Sequence, residues 1–378
     1  MNKFLSVLSN LYRFLVEAKP VQADVQRFVS QVKNGILDLR IAAALLRFQS
    51  EIMDELVAQA QAENLARYRK QMEFYTICYV SDRCVNSCRY CGLQRNLAGY
   101  RSQLGYAHLR EDLKAALRHG PTDVCILAGE HPSLTVDYLS VAANTALDMD
   151  VNRGLDRITF NVAPLTTLGF RQLRQKIAFP LQYRIFQESY DADVYAANHL
   201  AGPKRNFLFR LTAQERALAE GFDHVGIGAL LGLNNRHDLY PSCGHDFEIL
   251  ALITHAQHLR ARFGQWPYSL SIPRHQPIPE HAFATPSPVD DRRYLAYHAI
   301  LRLALPETKL ILTAREPAEL RSEFRPLINI EDLEARPWVG GNSTPSGVMQ
   351  NELQDTRSAE EIIADLRAQG FVPVIKER

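Results

Sequence analysis

The 378-residue sequence predicts an α/β fold: a (β/α)8 TIM-like barrel with an N-terminal helical extension. Three observations lead there. From Phe74 onward, short β-branched runs alternate with helical runs, which implies a parallel sheet with right-handed crossovers. The alternation supplies enough units to close a barrel rather than leave an open sheet. No G-x-G-x-x-G follows the first strand run, which sets the doubly wound alternative behind the barrel. The division expected is residues 1–72 as a helical extension and 73–378 as the barrel.

The elements follow in order. Before residue 72 no strand pattern occurs, and Asp38 to Lys70, rich in Ala, Leu, Gln and Glu, reads as a long amphipathic helical stretch. The strand candidates are Phe74–Val80, Asp123–Ala128, Arg157–Val162, Leu181–Phe186, His224–Ala229, Tyr268–Ile272, Lys309–Thr313 and Leu327–Ile330. Helices are expected between them at Ala107–His119, Thr135–Asp148, Thr166–Lys176, Thr212–Glu220, Asp246–Phe263, Asp290–Leu305 and Pro317–Glu323, and after them at Ser358–Gln369. The proline-rich stretch from His275 to Pro288 reads as a loop over the barrel mouth.

The most informative segment follows the first strand: Cys84-Val-Asn-Ser-Cys88-Arg-Tyr-Cys91, half of the chain's six cysteines on one loop. Soft thiolates suit an iron–sulfur cluster, and a [4Fe–4S] cube has four iron corners. Three cysteines leave one corner open for a non-protein ligand. A zinc site closes with four ligands and wants a second cysteine pair, which this chain lacks. Cys78 and Cys125 lie in apolar strand runs and read as small buried hydrophobes, and Cys243 as a loop thiol.

The spacing C-x3-C-x-φ-C, with Tyr90 as the aromatic φ, resembles the signature of the radical S-adenosylmethionine (SAM) superfamily. The resemblance implies a [4Fe–4S] cluster held by Cys84, Cys88 and Cys91, SAM chelated to the open iron, and reductive cleavage to a 5′-deoxyadenosyl radical. Glu130, in Gly129-Glu-His-Pro132, then falls where that family receives the SAM ammonium. Further polar groups follow the next strands. Glu188, in Gln187-Glu-Ser-Tyr190, suits the ribose hydroxyls or the amino-acid part of SAM, and Arg210 its carboxylate. Gly226-Ile-Gly-Ala-Leu-Leu-Gly232, with Ile227, suits close approach to adenine or merely a tight turn.

Gly-Glu-His-Pro, Gln-Glu-Ser-Tyr, Gly202-Pro-Lys-Arg-Asn-Phe207, Ser271-Ile-Pro-Arg274 and Ala314-Arg-Glu-Pro-Ala-Glu-Leu-Arg321 together are similar to the aromatic amino-acid lyase branch of that superfamily. That branch holds 2-iminoacetate synthase, the tyrosine lyase of [FeFe]-hydrogenase maturation and a tryptophan lyase. The implied reaction is hydrogen abstraction from the substrate amino group, then fragmentation. With tyrosine, the default, Cα–Cβ cleavage gives 2-iminoacetate and p-cresol. Arg315, with Ser343 in the Gly340–Pro345 loop, is expected to hold the substrate carboxylate, and Tyr100 to face the substrate. Two departures stand out. No cysteine follows Cys243, so a second C-terminal cluster is not expected, and the first strand ends Ser81-Asp82-Arg83-Cys84 where the branch usually has Ser-Asn. A tryptophan lyase, another radical SAM reaction and a non-catalytic cluster scaffold are the competing readings.

A net charge of +1 offers no field for nucleic acid or an anionic membrane. The apolar start Met1 to Leu11 is too short and interrupted to span a bilayer and lacks a small-residue cleavage site. A reducing cytoplasm and an electron donor such as flavodoxin or ferredoxin are expected.

Overall fold

The structure is a computed structural model, and it describes residues 2–151, 154–278 and 283–376. Within the expected mouth loop, residues 279–282 therefore lie outside the described part. Among the described residues nine strands form one parallel sheet: β1 (Gln71–Ser81), β2 (Asp123–Ala128), β3 (Arg157–Asn161), β4 (Leu181–Arg184), β5 (His224–Gly228), β6 (Ser269–Ser271), β7 (Lys309–Leu312), β8 (Ile330–Asp332) and β9 (Val372–Val374). β1 pairs with β2 on one side and β8 on the other, so the first eight strands close into the expected barrel. The short β9 pairs with the first three residues of β1, ahead of where β2 joins.

Strand alternation sorts the side chains. One set, with Phe74, Val80, Val124, Ile158 and Tyr183, enters the apolar layer between sheet and helices. The other set fills the barrel, and at its lower end it is polar. Arg157 lies 3.2 Å from both Glu73 and Asp123, Tyr268 donates to Glu73 at 2.7 Å, and Lys309 also pairs with Glu73. Above them Gln182 donates to Ser269 at 2.6 Å, and Thr159 donates to Asp123 at 2.8 Å. These mutually paired groups plug the barrel floor, and the cavity lies toward the strand C-termini.

Helices Asn2–Leu8, Leu11–Glu17, Val25–Lys33, Leu39–Arg47 and Met53–Tyr68 precede β1. They pack on the barrel helices Cys243–Phe263 and Asp291–Ala304, with Tyr12 stacked on Phe247 at 4.2 Å. The amphipathic stretch 38–70 holds two of these helices, Leu39–Arg47 and Met53–Tyr68. The break falls at a 3-10 turn, Gln49–Glu51, where the Gln49 amide donates to the Leu46 carbonyl and ends the first helix. Asp54 and Glu55 then favour a new helix N-terminus.

The eighth strand also differs from expectation. Leu327 and Ile328 are buried but lie before the strand, and the ladder is made by Ile330, Glu331 and Asp332. Two buried arginines supply the reason. Arg321 and Arg325 each hold Glu331, at 3.1 and 3.0 Å, which makes an acidic strand stable where apolarity would have been expected.

Candidate active site

β1 delivers the cysteine loop to the C-terminal mouth of the barrel. The loop is pinned at both ends: Val85 N–H donates to the Glu130 carbonyl at 2.8 Å, and Arg89 N–H to the Asn198 carbonyl at 3.0 Å. Gly129 makes the first contact possible, since a Cβ there would strike the Arg83 carbonyl and the Cys84 Cβ. Cys84, Cys88 and Cys91 all line one cavity at the mouth. Burial pushes the Cys88 thiol up to about 11 and the Cys91 thiol up to about 12, so binding iron there releases protons.

Among the described residues, no three His, Cys, Asp or Glu side chains converge on a single ion position. A [4Fe–4S] cluster binds each cysteine through a different iron, so it needs three thiols around a common void rather than a point. The donor set fits that requirement. A second contact fits it too: Asn86 Nδ2, held by Glu130 at 2.7 Å, lies 3.6 Å from Cys84 Sγ, as a donor to a ligating sulfur should.

Beside the cysteines stands a buried charge cluster. Glu188 occupies the left-handed region at φ 72°, a strained conformation for a non-glycine residue that turns its carboxylate into the cavity. Lys204 Nζ approaches Glu188 Oε1 at 2.8 Å, and Arg210 Nη2 at 3.3 Å. Burial alone would raise the Glu188 carboxyl, but Lys204 and Arg210 outweigh it and hold it below the usual range. Tyr90 lies below the Lys204 ammonium, 5.5 Å from the ring centroid, with its hydroxyl 2.8 Å from His199 Nε2. His199 Nδ1 sits 2.6 Å from the Tyr195 carbonyl and so carries the proton, leaving Nε2 to accept from Tyr90. Burial and Lys204 bring His199 down to about 3, so the ring stays neutral.

Arg315 lines the same cavity from the turn after β7. Burial lowers its pKa, and among the described residues no carboxylate forms an ion pair with it. Its turn is fixed from below: Asp332 accepts the Ala314 N–H at 3.0 Å and is itself 3.1 Å from Arg321.

Of the residues expected from sequence, the three cysteines, Tyr90, Glu130, Glu188, Arg210 and Arg315 meet in this cavity, and three others are elsewhere. Tyr100 is 77% exposed, because its neighbours Arg101 and Ser102 turn inward to the Gln94 carbonyl and to Asp82. Ser343 donates to Asp112, on the helix Tyr106–Ala116, and does not reach the cavity. Ile227 is fully buried in the sheet–helix core, while its neighbours Gly226 and Gly228 face Arg184 and Phe186. Sequence reasoning missed Lys204, Asn86 and Arg184. The first sits in the Gly-Pro-Lys-Arg-Asn-Phe string, which was the available signal.

Comparison with known proteins places this geometry in context. Residues 271–372 match the Biotin and Thiamin Synthesis associated domain. The chain is 28% identical over 360 residues to 2-iminoacetate synthase of Escherichia coli and 26% identical to that of Salmonella typhimurium, spanning 94% of this chain and 90% of each relative. Among solved structures, the [FeFe]-hydrogenase maturase HydG from Carboxydothermus hydrogenoformans superimposes with a TM-score of 0.86 at 31% identity, covering 98% of this chain and 84% of HydG.

Proposed function

We propose, because this chain belongs to the radical SAM family of HydG and 2-iminoacetate synthase, that it fragments an aromatic amino acid, with tyrosine as substrate, to 2-iminoacetate and p-cresol. The observation that carries the reading is Arg315: a guanidinium with no ion pair among the described residues, lining the same cavity as the three-cysteine loop. When bound, a reduced [4Fe–4S] cluster with SAM supplies a 5′-deoxyadenosyl radical that abstracts hydrogen. Cys84, Cys88 and Cys91 would hold the cluster, and Glu130, Glu188 and Arg210 are suited to the ammonium, ribose and carboxylate of SAM. Arg315 anchors the substrate carboxylate and so presents the amino group to the radical source. The closed barrel floor excludes water from one side of the reacting atoms.

Among the described residues no helix is long and apolar enough to cross a membrane. An electron donor of the flavodoxin or ferredoxin class and a reducing compartment suit the cluster. The test is anaerobic reconstitution, then incubation with SAM, dithionite and each aromatic amino acid, read by mass spectrometry. Tyrosine-dependent 5′-deoxyadenosine with p-cresol is expected. An indole-derived fragment from tryptophan alone would make this a tryptophan lyase, and SAM cleavage without any amino-acid fragment would point to another radical SAM reaction.

A further inference from the structure

Deeper in the cavity than Arg315 lies a second guanidinium. Arg184 ends β4, lines the cavity and is 3% exposed. Its guanidinium carbon sits 4.3 Å from the centroid of the Tyr75 ring, and its hydrogen-bond neighbour is the Cys125 thiol. Among the described residues it forms no ion pair, although the Asp123 charge bears on it, and Nη1 has no hydrogen-bond partner. Arg157, Arg321 and Arg325, about equally buried, each hold carboxylates. A buried guanidinium left under-satisfied is costly, so its retention calls for an acceptor that arrives with a ligand.

Depth is fixed by packing. Tyr75, Cys125, Ile311 and Ile330 form one cluster, and Arg184 lies against its Tyr75 ring. Arg184 ends its strand inside the barrel, whereas Arg315 comes after the end of its own. Arg315 stands beyond the end of β7 at Leu312, in a turn closed by the Glu316 N–H on the Thr313 carbonyl, so the two guanidiniums line one cavity at different depths. Asp332, in register with Tyr75, does not compete: its two oxygens are occupied by the Ala314 N–H and by Arg321.

We infer that Arg184 is the specificity determinant for the far end of the substrate, donating a hydrogen bond to an oxygen acceptor at the para position of the ring while Arg315 holds the α-carboxylate. A guanidinium has donors and no acceptor. A phenol oxygen accepts; an indole N–H only donates, and a phenyl ring offers nothing. Tyrosine therefore ranks above phenylalanine and tryptophan at this floor. The inference rests on the aromatic amino-acid reading, and it adds a residue and a chemical rule to it.

The test uses anaerobic protein reconstituted with its cluster and SAM, and equilibrium dialysis with tyrosine, phenylalanine and tryptophan. Wild-type protein is expected to bind tyrosine at least about tenfold more tightly than phenylalanine, the effect of one charged hydrogen bond. Arg184→Met should bring that ratio near one by weakening tyrosine alone, and Arg184→Lys should restore part of it. Equal weakening of both ligands marks a structural role and overturns the inference. So does wild-type protein with no tyrosine preference, a measurement that needs no variant to fold. Binding without preference sinks Arg184 alone, whereas no binding of any of the three sinks the aromatic amino-acid reading itself and the inference with it.

Discussion

Lys204 Nζ stands 2.8 Å from Glu188 Oε1 on one side and 5.5 Å from the centroid of the Tyr90 ring on the other. The lysine thus joins the strand-four carboxylate to the cysteine loop, and its charge bears on Cys88 as well as on Glu188. Lys204→Met leaves Glu188 with Arg210 as its one ion-pair partner among the described residues. We expect a stability loss of about 2 kcal/mol, as for a hydrogen bond to a charged group. Withdrawing a cation from beside the thiolates should also make the reconstituted cluster harder to reduce. A redox titration followed by electron paramagnetic resonance reads that shift, and a midpoint that moves upward, or stays put, would refute the coupling.

Arg315 offers a cleaner separation of binding from folding. It forms no ion pair among the described residues, so its removal leaves no carboxylate stranded. Arg315→Met should raise KM for the amino acid on the order of 10- to 100-fold, the loss of a bidentate charge-assisted contact. Thermal unfolding should be nearly unchanged, because burial already works against the charge. A variant with unaltered KM would remove Arg315 from the substrate site.

Much of this arrangement is legible in sequence, and the remainder fails for identifiable reasons. β2 is read to the residue because its run Asp-Val-Cys-Ile-Leu-Ala ends at a glycine. β8 is displaced because Glu331 and Asp332 look like a loop until Arg321 and Arg325 are known to lie behind them. β9 is three residues with a central proline and gains its place only by pairing with β1. In the site, residues adjacent to the cysteines or at strand ends are found by position. Lys204 is not, since its meaning comes from Glu188 and Cys88 on other segments. Tyr100 shows the converse: nearness in sequence to the cysteine loop says nothing about which way a side chain turns.

Arg321 carries a structural prediction for the turn that presents Arg315. It is completely buried, donates to Asp355 at 2.8 Å and to the Asp332 carbonyl at 2.9 Å, and pairs with Glu331. Arg321→Met leaves the buried Asp332 with no ion-pair partner among the described residues, while Glu331 keeps Arg325 and Asp355 keeps Arg357. The expected cost is about 3–5 kcal/mol, as for other broken buried pairs. Chemical denaturation gives the number, and a loss below about 1 kcal/mol, the range of exposed pairs, would show that the network does not hold β8.

Stability should also depend on pH through the helix Cys243–Phe263. Asp246 is buried among Tyr240, Tyr297, Arg293 and Arg47, and burial lifts its carboxyl to about 7. The folded chain therefore holds this proton more tightly than the unfolded chain, where an aspartate titrates near 3.9. The sign follows: the contribution is fully present below about pH 4, declines as pH rises, and is gone above about pH 7. Asp246→Asn keeps one acceptor and one donor for the two tyrosine hydroxyls and removes the titration. Relative to wild type, the variant should gain on the order of 3–4 kcal/mol between pH 4 and pH 8, from about three pKa units at 1.36 kcal/mol each. Glu248, also raised to about 7, remains in both proteins and cancels in the difference. Denaturation curves across that range measure it, and a wild-type-minus-variant difference that stays flat would mean Asp246 is already ionised in the fold.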